Sequence, residues 1–229
     1  MTHDFERAWQ DKLGRSIEAQ AGAEVRALIL AGGEQLSDPS PRLQVIEWSE
    51  GAISRLEQCL PLQTAQDLLT QCACHYPHEA LQPMKEAFRQ RGDILEIHEM
   101  LRAHFRDFLS VELRLEPDEI ESLLGQGWGL AGLLEGNTIV AKKIPKSGNL
   151  HEYLNEDDPQ RRREMYCHCP RVREAVVMGK SLPMTYCYCG AGFYRDIWET
   201  ILDKAVQVEV RSSVLHGDDV CTIAIHLPV

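Results

Sequence analysis

The sequence has no long uninterrupted apolar run, and this absence excludes an integral membrane protein. A helix that crosses a bilayer needs about 18 or more consecutive, mostly apolar residues, and the longest apolar runs here are short and broken by glycine. Residues 1–20 mix acidic and basic side chains. A secretory signal instead has a basic segment followed by an apolar segment. We therefore expect a cytoplasmic protein with no membrane partner.

Basic side chains are too few for a general nucleic-acid surface. Lys and Arg number 24 against 35 Asp and Glu, which gives a formal net charge of −11. Nonspecific affinity for nucleic acid comes mainly from basic side chains that release counterions from the phosphates. The one basic run, Arg161 to Arg163, follows the acidic run Glu156 to Asp158 and is typical of a solvated surface. We therefore expect no nucleic-acid partner.

Several common catalytic motifs are also missing. The sequence contains no Gly-x-Ser-x-Gly elbow, no His-Glu-x-x-His and no Walker loop. Cys189, close to a predicted helix start, is the one nucleophile worth naming, and a structural role for it is the stronger interpretation. The residues therefore favour a binding protein over an enzyme.

The first part of the chain has a helical pattern. From Asp4 to about Phe108, apolar residues recur three or four positions apart, and proline or glycine separates the runs. The clearest helix follows Asp93, whose side chain should cap the first turn, with Glu96 completing a capping box. We predict a helical N-terminal part over residues 1–108.

The pattern changes in residues 109–229, where strands enter. A short helix should begin after Pro117, a surface loop should cover Asn149–Arg163, and a second helix should cover Gly190–Leu202. Gly217 can adopt positive φ in the turn of an antiparallel hairpin. The fold class is therefore α+β, an N-terminal helical part followed by an antiparallel sheet with packed helices. The predicted strands are Val111–Leu115, Thr138–Ile144, Val206–Val210 and Cys221–Leu227.

Cysteine is the residue type with the clearest arrangement. Six of the eight cysteines form Cys-x-Cys pairs, namely Cys72 with Cys74, Cys167 with Cys169, and Cys187 with Cys189. In a strand or a turn, both sulfurs of such a pair can face the same side. The last two pairs would supply the four thiolates of a structural zinc site, although paired zinc ligands usually have at least two residues between them.

Three other interpretations of the cysteines stay open. Free cysteine is most often a small buried side chain. A Cys-x-Cys disulfide is possible but strained, which would make it labile and oxidising. Cys72 and Cys74 could instead form a separate small site with His75 and His78, although Pro77 makes exposed loop histidines the simpler explanation.

A family resemblance lies in the run from Cys187 through Gly190 to Tyr194, the helix ending near Leu202, and the segment from Val206 to Cys221. These residues resemble the 4-vinyl reductase type of small-molecule-binding domain, well from Cys187 onward and loosely after Leu109. Within it, the chain looks most like an uncharacterised prokaryotic branch with Cys-x-Cys-Pro and Cys-Tyr-Cys-Gly motifs. The resemblance implies an α+β fold, related to trafficking-particle subunits, that commonly forms a homodimer and encloses a hydrophobic pocket.

The resemblance also implies a metal site, with two departures. In phenol-sensing regulators of this kind, three cysteines and a glutamate hold zinc. By register, Cys187 matches the first cysteine and Cys221 the last, whereas Val210 occupies the glutamate position and Ser213 the middle cysteine position. Zinc would therefore need other ligands from the set Cys167, Cys169, Cys187, Cys189 and Cys221.

We predict a protein that binds or senses a small apolar or aromatic molecule, with a cysteine-ligated zinc ion as the candidate cofactor. The first alternative is a metal- or cysteine-dependent enzyme of hydrolase type, because distant relatives of the fold are linked to such chemistry. The second alternative is a dimeric assembly subunit. The predicted ligand-binding residues are Tyr188, Phe193, Tyr194 and Trp198.

Overall fold

The computed structural model describes residues 4–228, in which helices pack around a small sheet. The helices are α1 Phe5–Ala21, α2 Ala23–Leu30, α3 Arg42–Cys59, α4 Leu62–Thr70, α5 His78–Arg91, α6 Ile94–Asp107, α7 Pro117–Gly125, α8 Leu150–Asn155, α9 Pro159–Tyr166, α10 Pro170–Val177 and α11 Tyr188–Leu202. The strands are β1 Leu133–Glu135, β2 Thr138–Lys142, β3 Gln207–Ser212 and β4 Thr222–His226. The predicted α+β class is confirmed, with helices first and the sheet after them.

Aspartate side chains begin helices in the N-terminal part. Asp4 accepts a hydrogen bond from the backbone nitrogen of Arg7 at 3.0 Å, ahead of α1. Asp93 accepts one from the nitrogen of Leu95 at 2.9 Å, ahead of α6, as predicted. Such acceptors satisfy first-turn amides that have no partner within the helix. The capping-box prediction was wrong in one detail, because the Glu96 carboxylate pairs with Arg91 instead.

The sheet is antiparallel throughout, with strand order β1-β2-β4-β3. The predicted hairpin of β3 and β4 is confirmed, and Gly217 has φ 93° in the connection between them. Ile223 and Ile225 of β4 are buried in the same core as Ile197 and Ile201 of α11. The helix and the hairpin therefore share one apolar layer, which positions the first turn of α11 beside the sheet.

Two local predictions were wrong. Residues Val111–Leu115 are not a strand, because α6 continues into a π-helical turn over Phe108–Glu112 that leaves Val111 69% exposed. Three alternating residues are a weak period-two pattern beside the strong helical pattern that precedes them. The segment 149–163 is not a loop, since it contains α8 and the start of α9, and the side chains of Leu150 and Tyr153 are buried.

The apolar core extends across the predicted boundary at residue 108. The ring of Trp9 in α1 lies 5.6 Å from the ring of Tyr186, which precedes α11, and both residues belong to one buried cluster. The division of the chain at this boundary stays a prediction. Among residues 4–228, no helix has the length and hydropathy that a bilayer crossing requires.

Candidate functional site

One cavity of about 380 Å³ lies between the N-terminal helices and the C-terminal part of the chain. Its walls include seven of the eight cysteines, and we call it the cysteine cavity. All five cysteines predicted as metal ligands contribute to it, together with the Cys-x-Cys pair that follows α4. The seven are Cys72, Cys74, Cys167, Cys169, Cys187, Cys189 and Cys221.

The Cys-x-Cys-Pro motif forms a short extended link between two helices. Cys167 ends α9 with φ −74° and ψ 136°, and Cys169 precedes α10 with φ −70° and ψ 121°. Pro170 is the first residue of α10, and a proline restricts the residue before it to extended conformations. Alternate side chains of an extended segment face the same side. This local geometry brings both sulfurs to the cavity wall.

The third Cys-x-Cys pair reaches the cavity from helical backbone instead. Cys187 ends a 3₁₀ turn over 184–187, and Cys189 lies in the first turn of α11. The sulfur of Cys187 lies 3.1 Å from the Ser213 hydroxyl, and the sulfur of Cys221 lies 4.0 Å from the same oxygen. Cys189 lies near Cys169 and Cys74. Cys187 and Cys189 therefore contribute to different parts of the wall.

Lys143, directly after β2, contributes an ammonium group to the same cavity. Its backbone nitrogen donates to the carbonyl of Cys221 at 2.9 Å. The Tyr166 hydroxyl donates to the Lys143 carbonyl and accepts from the Cys221 nitrogen. In the part of the chain that the structure describes, no carboxylate lies within 4.0 Å of the ammonium. The cavity therefore holds a lysine without a carboxylate counter-charge.

Burial and mutual proximity determine the charge state of these groups. Burial raises the pKa of the Cys167 thiol to about 12, and the charge of Lys143 only partly opposes this shift. Burial also raises the pKa of Cys189 to about 12. For Lys143, burial lowers the pKa and the ionised forms of nearby cysteines raise it, with a net upward shift once those thiols are ionised. Near neutral pH the thiols of Cys167 and Cys189 are neutral and give Lys143 no counter-charge.

Helix α1 forms another part of the cavity wall. Phe5 and Trp9 line the cavity, and Glu6 between them is buried and paired with Arg171 of α10. The buried indole nitrogen of Trp9 has no hydrogen-bond partner within residues 4–228. Its N–H faces the sulfur of Cys189 and lowers the pKa of that thiol against the larger effect of burial. The Trp9 N–H therefore faces a sulfur and has no nitrogen or oxygen acceptor among residues 4–228.

The predicted ligand-binding aromatics separate into two groups. Phe193 and Tyr194 of α11 line the cavity. Trp198, one turn further along the helix, is fully buried in the core between α11 and the sheet. Tyr188 is buried beside Val210, whose backbone its hydroxyl contacts, and it is not part of the cavity wall. Of the four predicted aromatics, only Phe193 and Tyr194 can therefore contact a molecule in the cavity.

The zinc set implied by the resemblance does not fit this geometry. Cys187, Val210, Ser213 and Cys221 line the cavity together, but Val210 offers no donor atom. A tetrahedron with zinc–sulfur bonds of about 2.3 Å has edges of about 3.8 Å. In the described range 4–228, no three cysteine sulfurs of the cavity lie within 4.8 Å of one another. The zinc ion stays a prediction, which elemental analysis of the purified protein tests.

The suggested separate site of Cys72, Cys74, His75 and His78 is divided between two places. Cys72 and Cys74 line the cysteine cavity, whereas His75 and His78 point at Asp196 on α11. Sequence reasoning missed Asp196, Lys143 and Trp9. Asp196 and Trp9 are far in sequence from their partners, and a lysine directly after an apolar strand is a common surface pattern, so no local pattern identifies these three residues.

Comparison with known proteins gives one match. A family model described as "Family of unknown function (DUF6144)" matches residues 132–228. The matched part contains Lys143 and five of the cavity cysteines, and it leaves out the N-terminal helices. Searches among curated proteins and among solved structures found no match.

Proposed function

We propose that the protein binds one small molecule in the cysteine cavity, and that the molecule has an apolar or aromatic body and a negatively charged group. We further propose that binding changes how the N-terminal helices pack, so that the protein senses its ligand. The observation that carries the proposal is the ammonium of Lys143, which has no carboxylate partner within residues 4–228 and faces a largely apolar space.

The size and lining of the cavity support a compact organic ligand. Its volume of about 380 Å³ falls within the range of roughly 300–1,000 Å³ that is usual for ligand pockets. Phe105, Phe108 and Phe193 supply apolar walls, and Leu130 and Ile144 add aliphatic surface. Most ligand sites combine such walls with a few polar groups that fix orientation. An aromatic or aliphatic body therefore matches the lining.

The charge of the cavity supports an anionic group on that body. With the thiols of Cys167 and Cys189 neutral near pH 7, neither offsets the charge of the protonated Lys143 ammonium. The Trp9 N–H is a further donor without an oxygen or nitrogen acceptor in the part of the chain that the structure describes. A desolvated charge is unfavourable unless an opposite charge compensates it. A ligand carboxylate or sulfonate would supply both the counter-charge and the acceptor.

The position of the cavity supports a sensing role. Phe5 and Trp9 of α1 and Phe105 of α6 line the cavity together with the C-terminal cysteines. A ligand that contacts residues of both parts of the chain stabilises the packing in which it fits best, and it shifts the population of conformers toward that packing. The N-terminal helices would therefore report occupancy of the cavity.

A matched pair of fluorescent probes tests the charge requirement. The anion 1-anilinonaphthalene-8-sulfonate and the neutral N-phenyl-1-naphthylamine share one aromatic body and differ in the sulfonate. We expect Lys143→Met to weaken binding of the anion by roughly tenfold or more, because a hydrogen bond to a charged group contributes about 1.5–3 kcal/mol. Binding of the neutral probe should stay within about twofold of the wild-type value.

Lys142→Met is the control, because it removes the same charge from the neighbouring residue, which is not part of the cavity wall. It should leave the affinity for both probes unchanged. Equal affinity of wild type and Lys143→Met for the anion would overturn the proposal. So would the failure of both probes to bind the wild-type protein.

An enzyme on the same fold and a dimeric assembly subunit stay alternative predictions. The thiolate is the nucleophilic form of cysteine, so the raised pKa values of Cys167 and Cys189 favour a binding protein over a cysteine-dependent enzyme. Native mass spectrometry separates the alternatives further, because it reports both a retained small molecule and the number of chains. A dimer without any retained molecule would favour the assembly subunit.

A further inference from the structure

Outside the cysteine cavity, two histidines and one aspartate converge at the surface. The Nδ1 atom of His75 lies 2.9 Å from Oδ1 of Asp196, and Nε2 of His78 lies 3.0 Å from Oδ2 of the same carboxylate. One donor atom from each of the three residues lies within 4.8 Å of the other two. Within residues 4–228, this is the one group of three or more His, Cys, Asp or Glu donors with that spacing.

The three residues come from separate parts of the fold. His75 lies in the segment between α4 and α5, His78 is the first residue of α5, and Asp196 lies in the middle of α11. Pro77, which precedes α5, has φ −57° and turns the chain so that both imidazoles approach α11. The two rings meet edge to face with their centroids 6.0 Å apart. The arrangement is therefore tertiary, built on two helices and a proline-restricted turn.

The chemistry of the donors matches a borderline transition metal. Imidazole nitrogen and carboxylate oxygen are ordinary ligands of Zn²⁺, with bonds of about 2.0–2.2 Å. A tetrahedron with such bonds has edges of about 3.3–3.6 Å. The nitrogens of His75 and His78 lie close to this spacing from one oxygen, Oδ1 of Asp196, at 2.9 and 3.2 Å. In the described part of the chain, no Lys or Arg lies within 4.0 Å of the Asp196 carboxylate. Its negative charge is therefore available to a cation.

We propose that His75, His78 and Asp196 bind one divalent transition-metal ion of the zinc type. The side chains of the two histidines are 55% and 49% exposed, and that of Asp196 is 17% exposed, so an ion can enter directly from solvent. Three protein ligands leave at least one position for water. The bound ion would fasten the segment before α5 to α11, and that segment includes Tyr76, which lines the cysteine cavity.

Cobalt(II) is the probe of choice, because its spectrum distinguishes this site from the cysteines. Thiolate ligation produces an intense sulfur-to-cobalt charge-transfer band in the near ultraviolet, whereas ligation by nitrogen and oxygen does not. We expect the wild-type protein to bind one equivalent of Co²⁺ with weak visible d–d bands and without that charge-transfer band. Excess Zn²⁺ should displace the cobalt.

Substitutions at the site should remove this binding. His78→Ala and Asp196→Asn should each weaken Co²⁺ binding by at least roughly tenfold, because even outer-shell substitutions at metal sites lower affinity about 10- to 100-fold. His216→Ala is the matched control, since His216 is an exposed histidine in the turn between β3 and β4. Circular dichroism of each variant checks that it remains folded.

Three results would overturn the proposal. The first is no Co²⁺ binding by the wild-type protein, which would leave the short distances as His–Asp hydrogen bonds alone. The second is Co²⁺ binding that His78→Ala and Asp196→Asn retain as fully as the control His216→Ala. The third is binding accompanied only by the charge-transfer band, which would place the ion on the cysteines. None of these results depends on whether the cavity binds an organic ligand.

Discussion

The buried ion pair between Glu6 of α1 and Arg171 of α10 is the contact whose disruption should damage the fold most. The side chains are 1% and 0% exposed, respectively. Arg42 adds a second contact to the Glu6 carboxylate at 2.7 Å. The Arg171 guanidinium also lies over the Trp9 ring at 4.1 Å and contacts the Tyr186 hydroxyl at 3.2 Å. The pair therefore ties α1, which forms a wall of the cysteine cavity, to the C-terminal part.

Replacing Glu6 with Leu should lower the free energy of unfolding by about 3–5 kcal/mol, because Arg171 would stay buried without a carboxylate. Arg171→Met should be similarly destabilising, since Glu6 would keep only the partly exposed Arg42. The double variant should lose much less than the sum of the two single losses, because a buried ion pair replaced by apolar side chains is often near neutral.

Urea unfolding followed by circular dichroism measures these differences. At an m-value of about 3 kcal/mol per molar urea, a loss of about 3 kcal/mol shifts the midpoint by roughly 1 M. The four proteins of the cycle give the coupling energy between the two residues. A single-variant loss below about 1 kcal/mol, or losses that simply add in the double variant, would refute the reasoning that α1 is held by a desolvated charge pair.

Two further predictions concern packing and thiol chemistry. Gly192→Ala should destabilise the protein by roughly 1–3 kcal/mol in the same urea assay, because the new Cβ would overlap the backbone oxygen of Thr70. Gly190→Ala should be neutral or stabilising, since its new Cβ would have a side-chain nitrogen at 3.5 Å as its nearest contact and alanine favours helix. A loss of stability equal to that of Gly192→Ala would contradict this prediction. Iodoacetamide at pH 7.5 should label the exposed Cys59 first and Cys167 hardly at all, because burial raises the pKa of Cys167 to about 12 and leaves little thiolate. Peptide mass spectrometry measures the labelling rate of Cys167. This rate should increase as the pH rises toward that pKa, and a rate independent of pH would argue against the burial.

Local patterns predicted the elements that depend on neighbouring residues. Asp93 caps α6, Pro117 begins α7, and Gly217 allows the turn between β3 and β4. In each case a side chain or a φ restriction acts on amides a few residues away, which is information that a short window contains. The same windows failed at Val111, where the helix of α6 continues through three alternating residues. They also failed in segment 149–163, where burial of Leu150 and Tyr153 favours helix over loop.

The sequence by itself determined the α+β class, the starts of α6 and α7, and the presence of paired cysteines. Tertiary structure alone decided that seven cysteines surround one cavity, that Lys143 faces them without a carboxylate, and that Asp196 meets His78 across 118 positions. The physical reason is the distance along the chain over which each kind of interaction acts. Capping and side-chain periodicity act over a few residues, whereas convergence of side chains depends on how apolar faces pack, and many pairings of those faces are compatible with the same local pattern.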